Sequence, residues 1–417
     1  MAAVEAKGAV TPAQRRASGF TDWLPGQARR RRDLAGTIIA TFESWGYGLL
    51  DTPLVELLET VAAGIDSDQQ AELFRFADSD GAMLALVAER TVSVARVVAS
   101  HLAGGPYPLR LCYSGPVLRN AALLGGRRRE AMQAGCELVG SDSLSADAEC
   151  IALAACALRE SGVHSVQIDV GHADFIPGLL ESAGLDSAVQ ASVLASLARR
   201  DLVAVEEALE RTDFAGAERR LVLAFPTLRG GPGILEAAAE DVRGERPRRA
   251  LEQLGLLWDL LVAHGIDDSV QLDLGAVRDW DYYTGPIFEV FARDSGFPLG
   301  SGGRYDRLLQ RFGLPEPATG FVLHIDRCYD TVSRRGGDAA AASALRIAWN
   351  SHAHADALRL ASTLRALGVA CHCNLTAGDD VTADARVDAG VVRYRKSDEA
   401  REASLEEAAA DIAGTLG

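Results

Sequence analysis

Apolar positions at helical spacing first appear between residues 33 and 45, where Leu34, Ile38, Ile39 and Phe42 share one side. Gly46 and Gly48 punctuate that helix, and Tyr47 to Leu50 leads into Thr52-Pro53, where the proline marks a sheet edge or an interface. The pattern then shortens to strand period. Phe74-Arg75-Phe76 and Met83 to Val87 read as a hairpin around the turn Asp78 to Gly81. Thr91 to Ala103 returns to helix. PLRLCYSGPVLRN and REAMQAGCELVG read as two strands joined through Gly125-Gly126, and residues 145–160 as an alanine-rich helix. SVQIDVGH adds a strand.

From 173 to 265 the chain is rich in alanine, leucine and charge, with helical periodicity and one break at FPTLRGGPGI. This reads as a helical insertion. VQLDLG and TGPIFEVFAR then read as strands, GGRYDRLLQRFG as a helix, and ATGFVLHIDRCYDTV as a strand running into a helix. Residues 331–343 are small and polar, as in a linker. Beyond them ALRIAWNS, DALRLASTLRALG, VACHCNL and AGVVRYR alternate strand and helix and end in the acidic helix SLEEAAADIAGTL. The expected organisation is a disordered leader over 1–19, a core over 20–330 with its insertion at about 173–265, a linker, and a small α/β domain over 344–417. Hairpin links dominate the core, so the expected class is α+β: a largely antiparallel sheet flanked by helices.

A chain of 417 residues has room for two or three domains. No apolar run is long enough to span a bilayer and the N-terminus lacks a signal-peptide core, so a cytoplasmic protein with no membrane contact is expected. The seven cysteines form no CxxC pair and read as reduced thiols. Cys371-His372-Cys373 has no second ligand pair and reads as strand alternation, so no metal site is expected. A net charge of −16 argues against a general polyanion binder. The strips Arg127 to Arg129 and Arg29 to Arg32 are the local exceptions, the second reading as a solvated helical face.

The candidate chemistry lies in separated segments. Arg119, Gln133 and Glu137 form an R-x₁₃-Q-x-x-x-E pattern. Arg278, Asp281, Tyr282 and Tyr283 stand in AVRDWDYYTGPIFE, and Gly302, Gly303, Arg304 and Tyr305 in GGRYD. Glu89 and Thr91 stand in LVAERT. Each alone has a bland reading, as a surface pair, a packed hairpin or a turn with an ion pair. Together, in this order, they resemble the class II aminoacyl-tRNA synthetases of the histidyl type over roughly residues 20–330. WGY to TP-x-x-E resembles motif 1, LRN to ELVG motif 2, DYYTGPIFE and GGRYD the two histidine signatures, and ATGFVLHIDR motif 3.

The resemblance implies a histidine pocket. Glu89, Thr91 and Gln133 would hold the ammonium group, Arg278 would lie near the carboxylate with Arg119 beside it, and Glu137, Tyr282, Tyr283 and Tyr305 would surround the imidazole. Gly302 and Gly303 would let the backbone approach the ligand. Arg119, Arg278 and Arg327 stand where the family gathers arginines around an α-phosphate.

The departures fall on the nucleotide side. The position of the family's adenine-reading glutamate is Ala121, within R-N-A-A-L-L. The arginine and proline of L-R-P-E-x-T are Val87 and Ala88, and the motif 3 glycine is His324, which obstructs a nucleotide only if it faces the ligand. The acidic tail is a poor cradle for an anticodon stem, so tRNA is not an expected partner.

A non-synthetase branch of the family serves as the regulatory subunit of the short-form ATP phosphoribosyltransferase of histidine biosynthesis, and RREAMQAGCELVG and DYYTGPIFE look like that branch. This implies no catalytic residue, no cofactor, L-histidine as effector, and as partners a separate catalytic subunit and a second copy of the chain in a hetero-oligomer, expected as a hetero-octamer. Two alternatives stay open: a divergent histidyl-tRNA synthetase, and a class II-like scaffold with another ligand.

Overall fold

The computed structural model describes residues 15–121, 128–277, 283–293, 295–336, 344–350, 352–378, 382–396 and 399–416. The chain divides into two compact units, Met1–Gly337 and Asp338–Gly417.

The first unit begins with α1 (Pro25–Ser44), which buries Leu34, Ile38 and Phe42 as one stripe. β1 (Gly48–Leu49) follows. β2 (Val55–Leu57), α2 (Leu58–Gly64), α3 (Ser67–Ala71), β3 (Arg75–Ala77) and β4 (Met83–Leu86) come next, the three strands forming a small antiparallel sheet in the order β2-β4-β3. α4 (Arg90–Val97) runs on into a π-helical turn, Val98–Leu102. The motif 2-like hairpin is β5 (Leu109–Leu118) and β6 (Glu130–Val139). α5 (Leu144–Glu160) is capped by the Ser143 side chain. It is apolar on nearly every side and buried on nearly every side, as such a helix must be.

β7 (Val166–His172) leads into the insertion: α6 (Phe175–Ser182), α7 (Ser187–Ala198), α8 (Leu202–Glu210), α9 (Gly216–Leu223), the two-residue β8 (Arg229–Gly230), α10 (Gly233–Asp241) and α11 (Glu245–Ala263). β9 (Val270–Asp273), β10 (Pro286–Ala292), β11 (Gly300–Arg304), β12 (Ala318–His324) and α12 (Ile325–Gly336) complete the unit. Nine strands form one sheet in the order β1-β5-β6-β12-β11-β10-β7-β9-β8. Among the described residues of this sheet, only β1–β5 and β7–β9 pair in parallel. The antiparallel expectation therefore holds for most of the sheet.

Strand alternation gives this sheet two unlike faces. Cys112, Cys136, Leu138, Phe321 and Leu323 point to the side covered by α1 and α5 and join the main core. Their neighbours in sequence point the other way, and that second face carries the site.

Four expectations need correction. Residues 15–19 are described and engaged: Arg129 N–H donates to Gly19 O at 2.8 Å. The stretch from 331 to 336 is the end of α12, not linker, because Thr331 is buried and Tyr329 packs edge-on against Trp23. The GGRYDRLLQRFG segment is a strand, then a loop, with only a short 3₁₀ turn at Leu309–Phe312. The insertion is not purely helical, since Arg229–Gly230 joins the main sheet beside β9.

The second unit holds β13 (Leu345–Trp349), α13 (His354–Ala366), β14 (Cys371–Cys373), β15 (Ala385–Asp388), β16 (Val391–Lys396), β17 (Glu399–Ser404) and α14 (Leu405–Leu416), with its five strands ordered β14-β13-β15-β16-β17. In β14 Cys371 is buried and His372 exposed, the alternation expected of that run.

Candidate functional site

The site is built on the second face of the β5–β6–β12–β11 block. β6 sets Gln133 and Glu137 four positions apart, hence on one face and roughly 13 Å apart at the strand rise. The register pairs Glu137 with Gly320 and Gln133 with His324 on β12, and Gln133 with Gly115 on β5.

Glu137 is almost fully buried. Its carboxylate accepts from Tyr113 Oη at 3.3 Å and, through its other oxygen, from Tyr305 Oη. Burial pushes its pKa from the ordinary carboxylate range up to about 8. Hydrogen bonds from Tyr305, Thr91 and Tyr113 oppose that shift, while the nearby charge of Glu89 adds to it. A side chain at Gly320 would place its Cβ 2.0 Å from Glu137 Oε2, so glycine is what lets this carboxylate lie flat on the sheet. Gly135 serves Tyr113 likewise, with a Cβ there 2.5 Å from the hydroxyl. Gly302 does something other than the expected ligand approach: it faces the core, where a Cβ would meet Gly320 O at 2.3 Å and Phe321 at 2.5 Å. A Cβ at Gly303 would meet Pro286 O at 2.6 Å, a contact with the adjacent strand.

Glu89 occupies the N-cap position of α4 but makes no capping bond with its side chain, and Thr91 lies buried in the first turn. Thr91 hydrogen-bonds to Glu137 and the charge of Glu89 bears on it, which places both beside the same carboxylate. Tyr283 and Tyr305 pack in one apolar cluster with Tyr113. Arg304, next to Tyr305, is a structural anchor: it pairs with Asp147 at 2.7 Å and donates to the carbonyls of Ser141 and Ser143 at 3.0 Å. Gln133 is buried, and its Oε1 has no hydrogen-bond partner among the described residues. Arg119 donates from Nε to Ala88 O at 2.9 Å. Arg278, Asp281 and Tyr282 lie outside the described residues.

Sequence reasoning missed Tyr113. Its signal was available, because it alternates with Gly115 and so shares the face of Arg119.

The other end of the β6–β12 pair differs. His324 lies opposite Gln133 and therefore on the face that also carries Glu137. Its imidazole is pushed down to about 3, first by desolvation and then by the charges of Arg327 and Arg119, so the ring is neutral at ordinary pH. Arg327 donates to Pro298 O at 2.7 Å and lies over the Phe297 ring. Ala121 is buried, its carbonyl accepting from Arg129 Nε at 3.4 Å. Val87 and Ala88 are buried backbone partners of Leu118 and Arg119. Arg128 is tied to Asp330 at 3.3 Å and lies over Trp23, with Arg31 on the same ring. Asp326 accepts from Arg31 and from Met132 N–H. These contacts engage Arg128 and Arg31 with the protein itself.

Among the described residues no helix is long and apolar enough to cross a membrane.

The model of the histidyl-tRNA synthetase family matches residues 19–328. An ATP phosphoribosyltransferase regulatory subunit of Geobacter sulfurreducens is 40% identical over 318 residues, covering 76% of this chain and 73% of that protein. The protein of the same name from Symbiobacterium thermophilum is 38% identical over 372 residues, covering 88% and 93%. Among solved structures, an ATP phosphoribosyltransferase regulatory subunit/histidyl-tRNA synthetase from Bacillus halodurans superposes with a TM-score of 0.79 at 30% identity, covering 88% of this chain and 94% of that one. A histidyl-tRNA synthetase from Nostoc, also at TM-score 0.79 but 20% identical, shares the fold. The chain belongs to the histidyl-tRNA synthetase family and, within it, to the group of ATP phosphoribosyltransferase regulatory subunits.

Proposed function

We propose that this protein is the histidine-sensing regulatory subunit of a short-form ATP phosphoribosyltransferase, required for the activity of a separate catalytic subunit and for its feedback inhibition. The observation that carries the reading is the contrast along one strand pair. A polar pocket is assembled around Glu137, while His324 occupies the same face at the nucleotide end. Histidine would lie with its imidazole toward Glu137, Tyr283 and Tyr305 and its polar end toward Glu89, Thr91 and Gln133. Arg119, Arg278 and Tyr282 would complete the pocket. The protein would catalyse no aminoacylation, because adenine recognition is lost at Ala121 and crowded at His324.

Inhibition through a separate subunit requires that histidine prefer one state of the assembly, with couplings of about 1–3 kcal/mol typical. The assembly would be cytoplasmic and hetero-octameric, built on a dimer of this chain. Support for the dimer comes from the motif 1-like region, where Leu49, Val55 and Leu57 are large apolar side chains left exposed. Sedimentation at micromolar concentration should give a dimer.

The deciding experiment mixes the protein with the small catalytic subunit and assays phosphoribosyl transfer with and without L-histidine. Activity that depends on this chain and falls with histidine is expected. Histidine-dependent ATP–pyrophosphate exchange by this chain alone would instead identify a synthetase.

A further inference from the structure

Arg90 is an arginine in an unfavourable place. It is the first residue of α4, where the helix dipole disfavours a cation, and it is only 4% exposed. Among the described residues it forms no ion pair with a carboxylate. Its Nη1 donates to Thr52 Oγ1 at 3.0 Å and its Nη2 to Pro116 O at 3.1 Å. Its Nε is buried with no hydrogen-bond partner among the described residues. Burying a cation with only the charge of Asp51 acting on it from beyond ion-pair distance is costly, so something further must offset it.

Its location suggests what does. The guanidinium lies against Gly115: a Cβ there would stand 2.2 Å from Nη2 and 2.6 Å from Nε. Gly115 is the cross-strand partner of Gln133 and points to the same face. The unpartnered Nε–H of Arg90 and the unpartnered Oε1 of Gln133 are therefore neighbours on the ligand face, one a buried donor and the other a buried acceptor. An α-amino acid carries both complements on adjacent atoms, an anionic carboxylate and a cationic ammonium. The charge of Glu89 favours a cation in this pocket; Arg90 supplies positive charge beneath its polar end.

We infer that Arg90 is a specificity residue of this pocket, whose fixed charge beside Gln133 selects a ligand with a free carboxylate over the corresponding amino alcohol or amine. The inference rests on the reading of the cleft as an amino-acid site.

The test is calorimetric titration of L-histidine and L-histidinol into the full-length wild type, Arg90→Met and Arg90→Lys. The wild type should prefer histidine. Arg90→Met should lose about tenfold or more in histidine affinity, the scale of one charge-assisted hydrogen bond, with histidinol affinity unchanged or improved. Arg90→Lys keeps the charge and should keep most of the preference, which preserves the test if Arg90→Met fails to fold. Equal loss for both ligands would make Arg90 a mere staple between Thr52 and Pro116 and overturn the inference alone. So would an unchanged preference in Arg90→Met, or loss of the preference in a folded Arg90→Lys. A wild type that binds neither ligand would overturn the amino-acid reading of the cleft and this inference with it.

Discussion

The two ends of the β6–β12 pair use one face of one sheet in opposite ways. At the Glu137 end the facing residue is Gly320, and the space holds a carboxylate ringed by hydroxyls. At the Gln133 end the facing residue is His324, and the space holds a neutral imidazole. These cross-strand pairs stand roughly 13 Å apart along the strands. Under the proposed reading, one end of the cleft is filled by an imidazole while the other keeps a polar pocket, as a sensor derived from an adenylate-forming fold would require.

The strongest way to break the contrast is at Glu137. Glu137→Ala should lower histidine affinity about a hundredfold and relieve feedback inhibition, while assembly with the catalytic subunit and uninhibited activity persist. Inhibition at an unchanged histidine concentration by a folded variant would place the effector site elsewhere.

The next lever is the other end. The wild type should give no histidine-dependent ATP–pyrophosphate exchange. His324→Gly combined with Ala121→Glu should raise ATP affinity by about tenfold, near 1.4 kcal/mol, by restoring space and an acceptor. Equilibrium dialysis with labelled ATP reads this, and an unchanged affinity would show that His324 does not crowd the subsite.

Protonation gives a smaller effect. Glu137 has a raised pKa, so its contribution to stability is fully present below the ordinary carboxylate value and is lost as pH rises through about 8. The melting temperature of the ligand-free protein should fall by a few degrees between pH 6 and 8.5, on the scale of about 2 kcal/mol, and by less in Glu137→Gln. Histidine placed beside the carboxylate should release protons on binding over the same range, seen as a dependence of binding heat on buffer ionisation enthalpy.

The smallest signal is at His324. Its lowered pKa makes its contribution present above the ordinary imidazole value and lost as pH falls from there toward about 3. Its ring resonances should not titrate between pH 5 and 8 in the ligand-free protein. A midpoint near 6.5 would mean the ring is solvated and does not fill the subsite.

Local pattern alone located the helix of Leu34, Ile38 and Phe42, the hairpin around Asp78 to Gly81 and the motif 2-like strands, because each carries a period that only one element satisfies. It also carried the resemblance, since Gln133 and Glu137 sit four apart on a strand and must share a face. It fell short where distant partners decide. The strand Arg229–Gly230 is too short to have a period and exists only because β9 lies beside it. Thr331 to Gly336 looked like linker, yet Trp23, hundreds of positions earlier, gives that helix a surface to pack on.

The side on which His324 falls was undecidable from sequence, because a strand offers two faces and only the register with β6 chooses between them. The protonation of Glu137 and the setting of Arg90 belong to the same class. Residue type fixes which proton or charge is available, whereas burial and neighbours from other strands fix its energy. The sequence by itself determined the family, most of the elements and the placing of Gln133 and Glu137 on one face, all of which follow from spacing and chemistry along the chain. Only the tertiary structure decided which of those groups meet, because a carboxylate's partners and an imidazole's direction are set by strands that the chain order does not place side by side.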